Sequence, residues 1–378
     1  MNQNARRALA IVASAVLAVS LLLGGPAQAA DPITPATPTI SGTAQYEQTL
    51  TAVAGAWPAD VSLSYQWFRD GAPVGNDSPA NATRRLAALS DVGTRFAVRV
   101  TGSRAGSDPV SATSAPTAPV AKGTVRNTRR PTVSGSSKYG KKLTGRVGSW
   151  SRAIDGYDYR WLRDGTPITG ATGRHYRVRS ADVGHKIRFQ VRAKRAGFSS
   201  ATATSKAVTG KHVRGVRKVV TYTVTTRGSV SASLSTFKRQ AQETYDDPRG
   251  WRANGIRFKR VSSDGDFTLV LSQASKVPSF SSACSTTYSC RVGRFVVINE
   301  TRWKKATPTW DSKNGSLRNY RHMVVNHETG HWLGRGHVSC GGTGQLAPVM
   351  QQQSKGLGGC KINPWPKKGE QYAPRFGF

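Results

Sequence analysis

The sequence of 378 residues predicts a multidomain chain in which two all-β sandwiches precede an α+β domain. Three observations predict this. Residues 30–121 and 122–210 are two copies of one unit. Each copy alternates apolar and polar residues in short runs closed by an Asp-Gly pair. From residue 211 the pattern changes to strand, helix, several strands and a longer helix.

The chain opens with Arg6 and Arg7, an apolar run from Ala8 to Leu23, and the small-residue end Ala27-Gln28-Ala29. Residues 1–29 therefore read as a secretory signal peptide cut after Ala29, since the apolar run is short for a bilayer span. No second stretch of spanning length follows and the C-terminus shows no sorting signal, so the expectation is a secreted, extracellular protein with no membrane attachment after cleavage. The cysteines fit export. All 4 lie in the last domain, at Cys284, Cys290, Cys340 and Cys360, and an even count in an oxidising compartment predicts two disulfides. Three pairings are open; the simplest makes a small loop from 284 to 290 and a clasp from 340 to 360.

In the two repeats, Pro38, Gly42 and Trp57 match Pro131, Gly135 and Trp150 at one common offset. Trp67, Asp70-Gly71 and Asp91-Val92-Gly93 then match Trp161, Asp164-Gly165 and Asp182-Val183-Gly184. Runs such as Tyr65-Gln66-Trp67-Phe68 and Tyr159-Arg160-Trp161-Leu162 read as strands, and Trp67 and Trp161 as core anchors. On these residues the units resemble the immunoglobulin-like repeats strung along actinobacterial surface proteins, without the cysteine pair of antibody domains. That resemblance implies spacers or binding modules.

Charge separates the units. Residues 31–120 carry 6 Lys+Arg and 7 Asp+Glu, residues 121–210 carry 20 and 4, and residues 211–378 carry 27 and 9, within a total net charge of +35. Fields of this size attract polyanions, and outside a bacterial cell anionic cell-wall polymers are the expected partner. No zinc-finger, helix-turn-helix or RNA-binding motif accompanies the charge, so no specific nucleic-acid partner is expected.

In the last domain, residues 218–226 alternate as a strand and 233–245 read as a helix opened by Ser233. Residues 256–261, 267–272 and 295–299 read as further strands, and 316–334 as the long helix. That helix carries HETGHWLGRGH. His327 and His331 are four apart and share one helical face, so both imidazoles reach a single metal ion. Gly334 can take a left-handed conformation that ends the helix and returns the chain, bringing His337 round as a third ligand. Three imidazole ligands in this setting suit Zn2+ and leave a fourth position open, the arrangement of catalytic rather than structural zinc. Glu328, about 100° round the helix from His327, is placed to act as general base on water and to return the proton to a leaving amine.

On His327, Glu328, His331, Gly334, His337 and Pro348-Val349-Met350, the chain resembles the metzincin clan of zinc metallopeptidases. The resemblance implies a metzincin-like α+β catalytic domain over residues 211–378, with Met350 as an apolar floor beneath the zinc ligands that does not touch the metal. Some members carry a tyrosine two residues past that methionine; here Gln352 stands there, leaving Tyr320 and Tyr372 as substitutes if the fold brings them close. The resemblance also implies a strand near residues 280–290 that borders the cleft and pairs with extended substrate, while the serine-rich sequence there reads equally as a loop. The stretch that includes CGGTGQLAPVMQQQSKGLGGC and NPWP resembles a family of secreted actinobacterial proteins of unassigned function. The expected activity is that of a secreted zinc endopeptidase acting on protein or peptide substrates. The alternatives are a wall-binding or adhesive protein that keeps the fold as a scaffold, and a zinc hydrolase of peptidoglycan cross-links.

Overall fold

The computed structural model describes residues 32–378; the segment read as a signal peptide lies outside them. The chain divides into two compact units, the first ending at Gly123 and the second running Thr124–Phe378.

The first unit is a sandwich of two antiparallel sheets. One orders Thr39–Ser41, Thr49–Val53 and Thr83–Arg85; the other orders Ala72–Ser78, Ser62–Arg69, Phe96–Ser103 and Val110–Thr113. The turn between Ser62–Arg69 and Ala72–Ser78 has both central residues at positive φ, Asp70 at 48° and Gly71 at 85°, as two-residue hairpins require to match strand twist. Inward positions of both sheets close over Leu50, Trp67, Leu86, Phe96 and Val98. The Trp67 indole N–H donates to the Asn81 carbonyl at 2.8 Å, so its polar atom is satisfied.

The second unit begins with a copy of that sandwich. Its sheets are Thr132–Gly135, Lys142–Arg146 and His175–Arg177, and Thr166–Pro167, Gly156–Arg163, Lys186–Lys194 and Ala201–Thr204. Trp161 is fully buried against Tyr176 and Phe189, with ring centroids 5.4 and 5.0 Å away. The Asp-Val-Gly match has a structural cause. Asp182 is buried and accepts from Arg163, from the Tyr176 hydroxyl at 2.6 Å and from the Arg179 backbone N–H at 2.6 Å, and Asp91 accepts from Arg69 and the Ala88 N–H in the same way.

The remainder of this unit is an α+β domain built on one five-stranded sheet. Strand β1 (Lys218–Arg227) leads to helix α1 (Leu234–Asp246), then β2 (Ile256–Arg260), β3 (Phe267–Ser272), β4 (Cys290–Val292) and β5 (Phe295–Asn299). The sheet order is β2-β1-β3-β5-β4, parallel except for β4, which runs antiparallel to β5 at one edge. Short helices α2 (Glu300–Lys304) and α3 (Pro308–Asp311) lead to α4 (Leu317–Trp332). β3 is buried on both faces, as a parallel strand covered on two sides must be, and so reads as a continuous apolar run.

Both long helices begin at the serines expected. Ser233 accepts from the Thr236 N–H and Ser316 from the Asn319 N–H, each at 3.2 Å, satisfying donors the first turn leaves free. α1 buries Phe237, Ala241, Thr244 and Tyr245, one stripe at helical spacing, and packs on α4. The Tyr245 and Thr329 hydroxyls lie 2.9 Å apart, and the Thr244 hydroxyl lies 2.9 Å from His322 Nδ1. α4 is buried along most of its length, so it carries its polar residues into the domain's interior. Of the strand and the loop open for residues 280–290, the loop is found, following a 3-10 helix (Ala274–Phe280); the edge strand starts at Cys290. After α4 the described chain has no further strand, and two disulfides, Cys284–Cys290 and Cys340–Cys360, brace the irregular segments. No helix among the described residues is long and apolar enough to cross a membrane.

Candidate metal centre and cleft

α4 ends at Trp332, and Gly334 adopts φ 92°. A Cβ at Gly334 would lie 3.1 Å from Pro374 and 3.2 Å from the Arg375 backbone N, so both conformation and space favour glycine. The reversal that follows brings His337 back to the helix. The His331 Nε2 atom lies 3.2 Å from His327 Nε2 and 3.0 Å from His337 Nε2.

The tautomers of two of these rings follow from their other nitrogen. His327 Nδ1 lies 2.8 Å from the Val349 carbonyl and His331 Nδ1 2.8 Å from the Arg335 carbonyl. A carbonyl can only accept, so each Nδ1 carries the proton and each Nε2 presents a lone pair. Lone pairs brought this close repel unless a cation lies between them. Nitrogens about 2.0–2.1 Å from a tetrahedral zinc are about 3.3 Å apart, close to the spacing found. The donor set therefore fits zinc. Burial also holds the His327 imidazole down to about 3, and His331 and His337 shift down for the same first cause, which favours the neutral form that ligates.

Against α4 at Gly330 lies Met350, fully buried. It fits there because residue 330 is glycine. A Cβ at Gly330 would lie 2.3 Å from Met350 Sδ and 2.9 Å from the Trp251 ring. The turn bearing Met350 is held by a residue the sequence reading did not single out. Both carboxylate oxygens of buried Glu370 are used, one accepting from the Val349 N–H at 2.9 Å and the other from the Met350 N–H at 3.0 Å. Gln353 adds a second tie, donating to the Pro348 carbonyl at 3.0 Å and the Asn363 carbonyl at 2.8 Å while accepting from the Asn363 N–H. Since the Val349 carbonyl orients His327, these contacts set the ring as well as the turn.

Glu328 lies in the wall of a cleft of about 330 Å³ together with the three imidazoles. Burial pushes its carboxyl up to about 8, against a smaller downward pull from Arg291. The other walls come from the Cys284–Cys290 loop with Tyr288 and Arg291, and from the chain past Met350 with Gln352 and Lys355. Lys355 Nζ lies 5.4 Å from the centre of the Tyr288 ring. Of the two tyrosines named from sequence, Tyr320 is fully buried with its hydroxyl 2.8 Å from that of Ser354, and neither Tyr320 nor Tyr372 lines this cleft. Tyr288 does. It lies in the segment expected to border the cleft, though nothing in the serine-rich sequence singles out this ring. Cys340–Cys360 lies in the irregular part beyond α4, as expected for the segment carrying Met350, whereas Cys284–Cys290 borders the cleft itself.

Residues 194–366 match a family described as protein of unknown function (DUF3152). No curated protein matches the chain. Among solved structures, the chain is similar to three N-terminal domains of the bacteriophage RB49 Highly Immunogenic Outer Capsid protein (17% identity, TM-score 0.24), covering 51% of this chain and 65% of that one. It is also similar to a Ca2+-stabilized ice-binding adhesin of an Antarctic bacterium (15%, TM-score 0.24, 50% and 55%) and to a two-domain fibronectin type-III segment of chicken tenascin (14%, TM-score 0.25, 46% and 98%). The chain thus spans less than two thirds of the first two.

Proposed function

We propose that the chain is a secreted zinc-dependent endopeptidase with a metzincin-like catalytic domain. The observation that carries the reading is the meeting of three Nε2 atoms, two of them with their Nδ1 protons fixed on carbonyls, beside a buried glutamate in an open cleft. His327, His331 and His337 hold the metal. A zinc ion held there supplies a Lewis acid toward a peptide carbonyl and toward water. Glu328 takes a proton from the attacking water and returns it to the amine nitrogen as the bond breaks, and a carboxyl raised toward neutrality suits both transfers. Met350, Gly330 and Glu370 keep the imidazoles in place. The antiparallel edge strand β4 offers its free side to an extended peptide. Export is supported by the composition of residues 1–29 and by the two disulfides. Retention on anionic wall polymers is supported by the basic second sandwich and last domain.

The exported chain, purified with both disulfides formed, is to be assayed for bound metal and for cleavage of an unfolded protein with and without chelator. One zinc per chain and chelator-sensitive cleavage are expected. Zinc without cleavage, together with release of amines from peptidoglycan, would replace this reading with that of a wall hydrolase.

A further inference from the structure

Arg291 is the central residue of β4 and lines the cleft with Glu328 and His331. Among the described residues no hydrogen bond or ion pair holds its guanidinium. Lys355 lines the same cleft and meets the face of the Tyr288 ring. The only carboxylate among the described residues lining the cleft is Glu328. Two cations facing a single carboxylate, beside a centre built to hold a third, leave this cleft short of negative charge. The backbone at Arg291 is pinned on both sides. Cys290 and Val292 pair in register with Val297 and Phe295, and the disulfide to Cys284 fixes the residue before it. A peptide that adds to the free side of β4 places one side chain directly across from Arg291, at about 4.5–5.5 Å between Cβ atoms.

We propose that Arg291, aided by Lys355, makes the cleft selective for extended peptides carrying an aspartate or glutamate side chain beside the bond presented to Glu328. The proposal rests on the endopeptidase reading for the meaning of that bond, while the preference itself is a property of binding. A carboxylate on the arriving strand forms a charge-assisted, two-pronged contact with the guanidinium, and the neutral amide of the same shape cannot.

The test uses the Glu328→Gln chain, purified with its metal, and a labelled neutral peptide in which a single Glu is moved along the sequence, each version compared with its Gln counterpart by fluorescence anisotropy. At one position the Glu peptide is expected to bind about tenfold to a hundredfold more tightly than the Gln peptide. Arg291→Gln is expected to remove most of that difference and Lys355→Gln a smaller part. Arg291→Lys retains a share of it, and Arg291→Glu turns the preference toward a Lys peptide. Equal binding of Glu and Gln peptides at every position overturns the proposal, as does undiminished discrimination by Arg291→Gln. The same panel is then offered to the unsubstituted chain. Discrimination in binding without cleavage of any peptide would end the endopeptidase reading and leave the acidic-ligand preference standing.

Discussion

In the proposed hydrolysis, Glu328 is the residue on which the chemistry turns. Replacing it with Gln keeps the shape of the cleft and removes the proton acceptor, so hydrolysis is expected to fall by about 10²–10⁴-fold while zinc content is unchanged; His331→Ala is expected to lose metal and activity together. Full activity in the Glu328→Gln chain would refute the assignment of the base. Gly330 shows a different dependence. In a helix interior, glycine costs about 1 kcal/mol relative to alanine, yet a Cβ here would meet Met350 Sδ at 2.3 Å. Gly330→Ala is therefore expected to destabilise the domain by about 1–3 kcal/mol through overpacking, read as a lower midpoint in urea. His327, Glu328 and His331 were legible because helical spacing alone brings them together, and Gly334 and His337 because a glycine just past the helix end can return the chain. Glu370 was not, because its partners Val349 and Met350 are joined to it only by the fold. Tyr320 was a candidate only if the fold brought it close, and its hydroxyl lies beside that of Ser354 instead.

At the scale of elements, α4 depends on α1 through buried polar pairs as well as apolar packing. His322 is nearly fully buried, with Nδ1 beside the Thr244 hydroxyl and its ring 4.5 Å from that of Trp365. Burial holds its imidazole down to about 3, Arg318 and Arg249 adding to the depression and Asp247 opposing it. Folded His322 is thus neutral across the range where unfolded histidine titrates, near 6.5. Its contribution to stability is complete above about 6.5 and is lost as pH falls from there toward 3. A fall in melting temperature between pH 7.5 and 5 is expected, and it should be shallower in His322→Phe; an identical slope would show that other groups carry it. The Cys340–Cys360 clasp acts on the other end of the site. Removing it as a Cys340→Ser, Cys360→Ser pair is expected to cost about 3 kcal/mol, judged from the length of chain it closes, and to loosen the Met350 turn before the sheet. Element order, caps and most strand positions could be read from periodicity and from Ser233 and Ser316. The edge strand was misplaced because β4 spans Cys290–Val292, too short for any alternation to register.

For the whole molecule, charge is the property that no single element explains. The sandwich copies share buried tryptophans, Asp-Gly turns and the Asp91 and Asp182 anchors, yet residues 31–120 hold 6 Lys+Arg against 20 in residues 121–210. The repeat was legible because core residues dictate it, and the charge difference was visible because surface residues are free to diverge. Retention of the chain on isolated cell walls is expected to weaken steeply between 50 mM and 500 mM salt, as screening shortens to a few ångströms. Binding that is indifferent to salt would point to a shaped site instead.

The free side of β4 has one more consequence. An exposed sheet edge invites any extended chain, including the same strand of another copy of the protein. β4 has three residues with Arg291 in the middle, and an antiparallel pair centred on that residue would set two guanidinium groups face to face. Charge repulsion therefore opposes that pairing, and Arg291→Gln is expected to lower solubility.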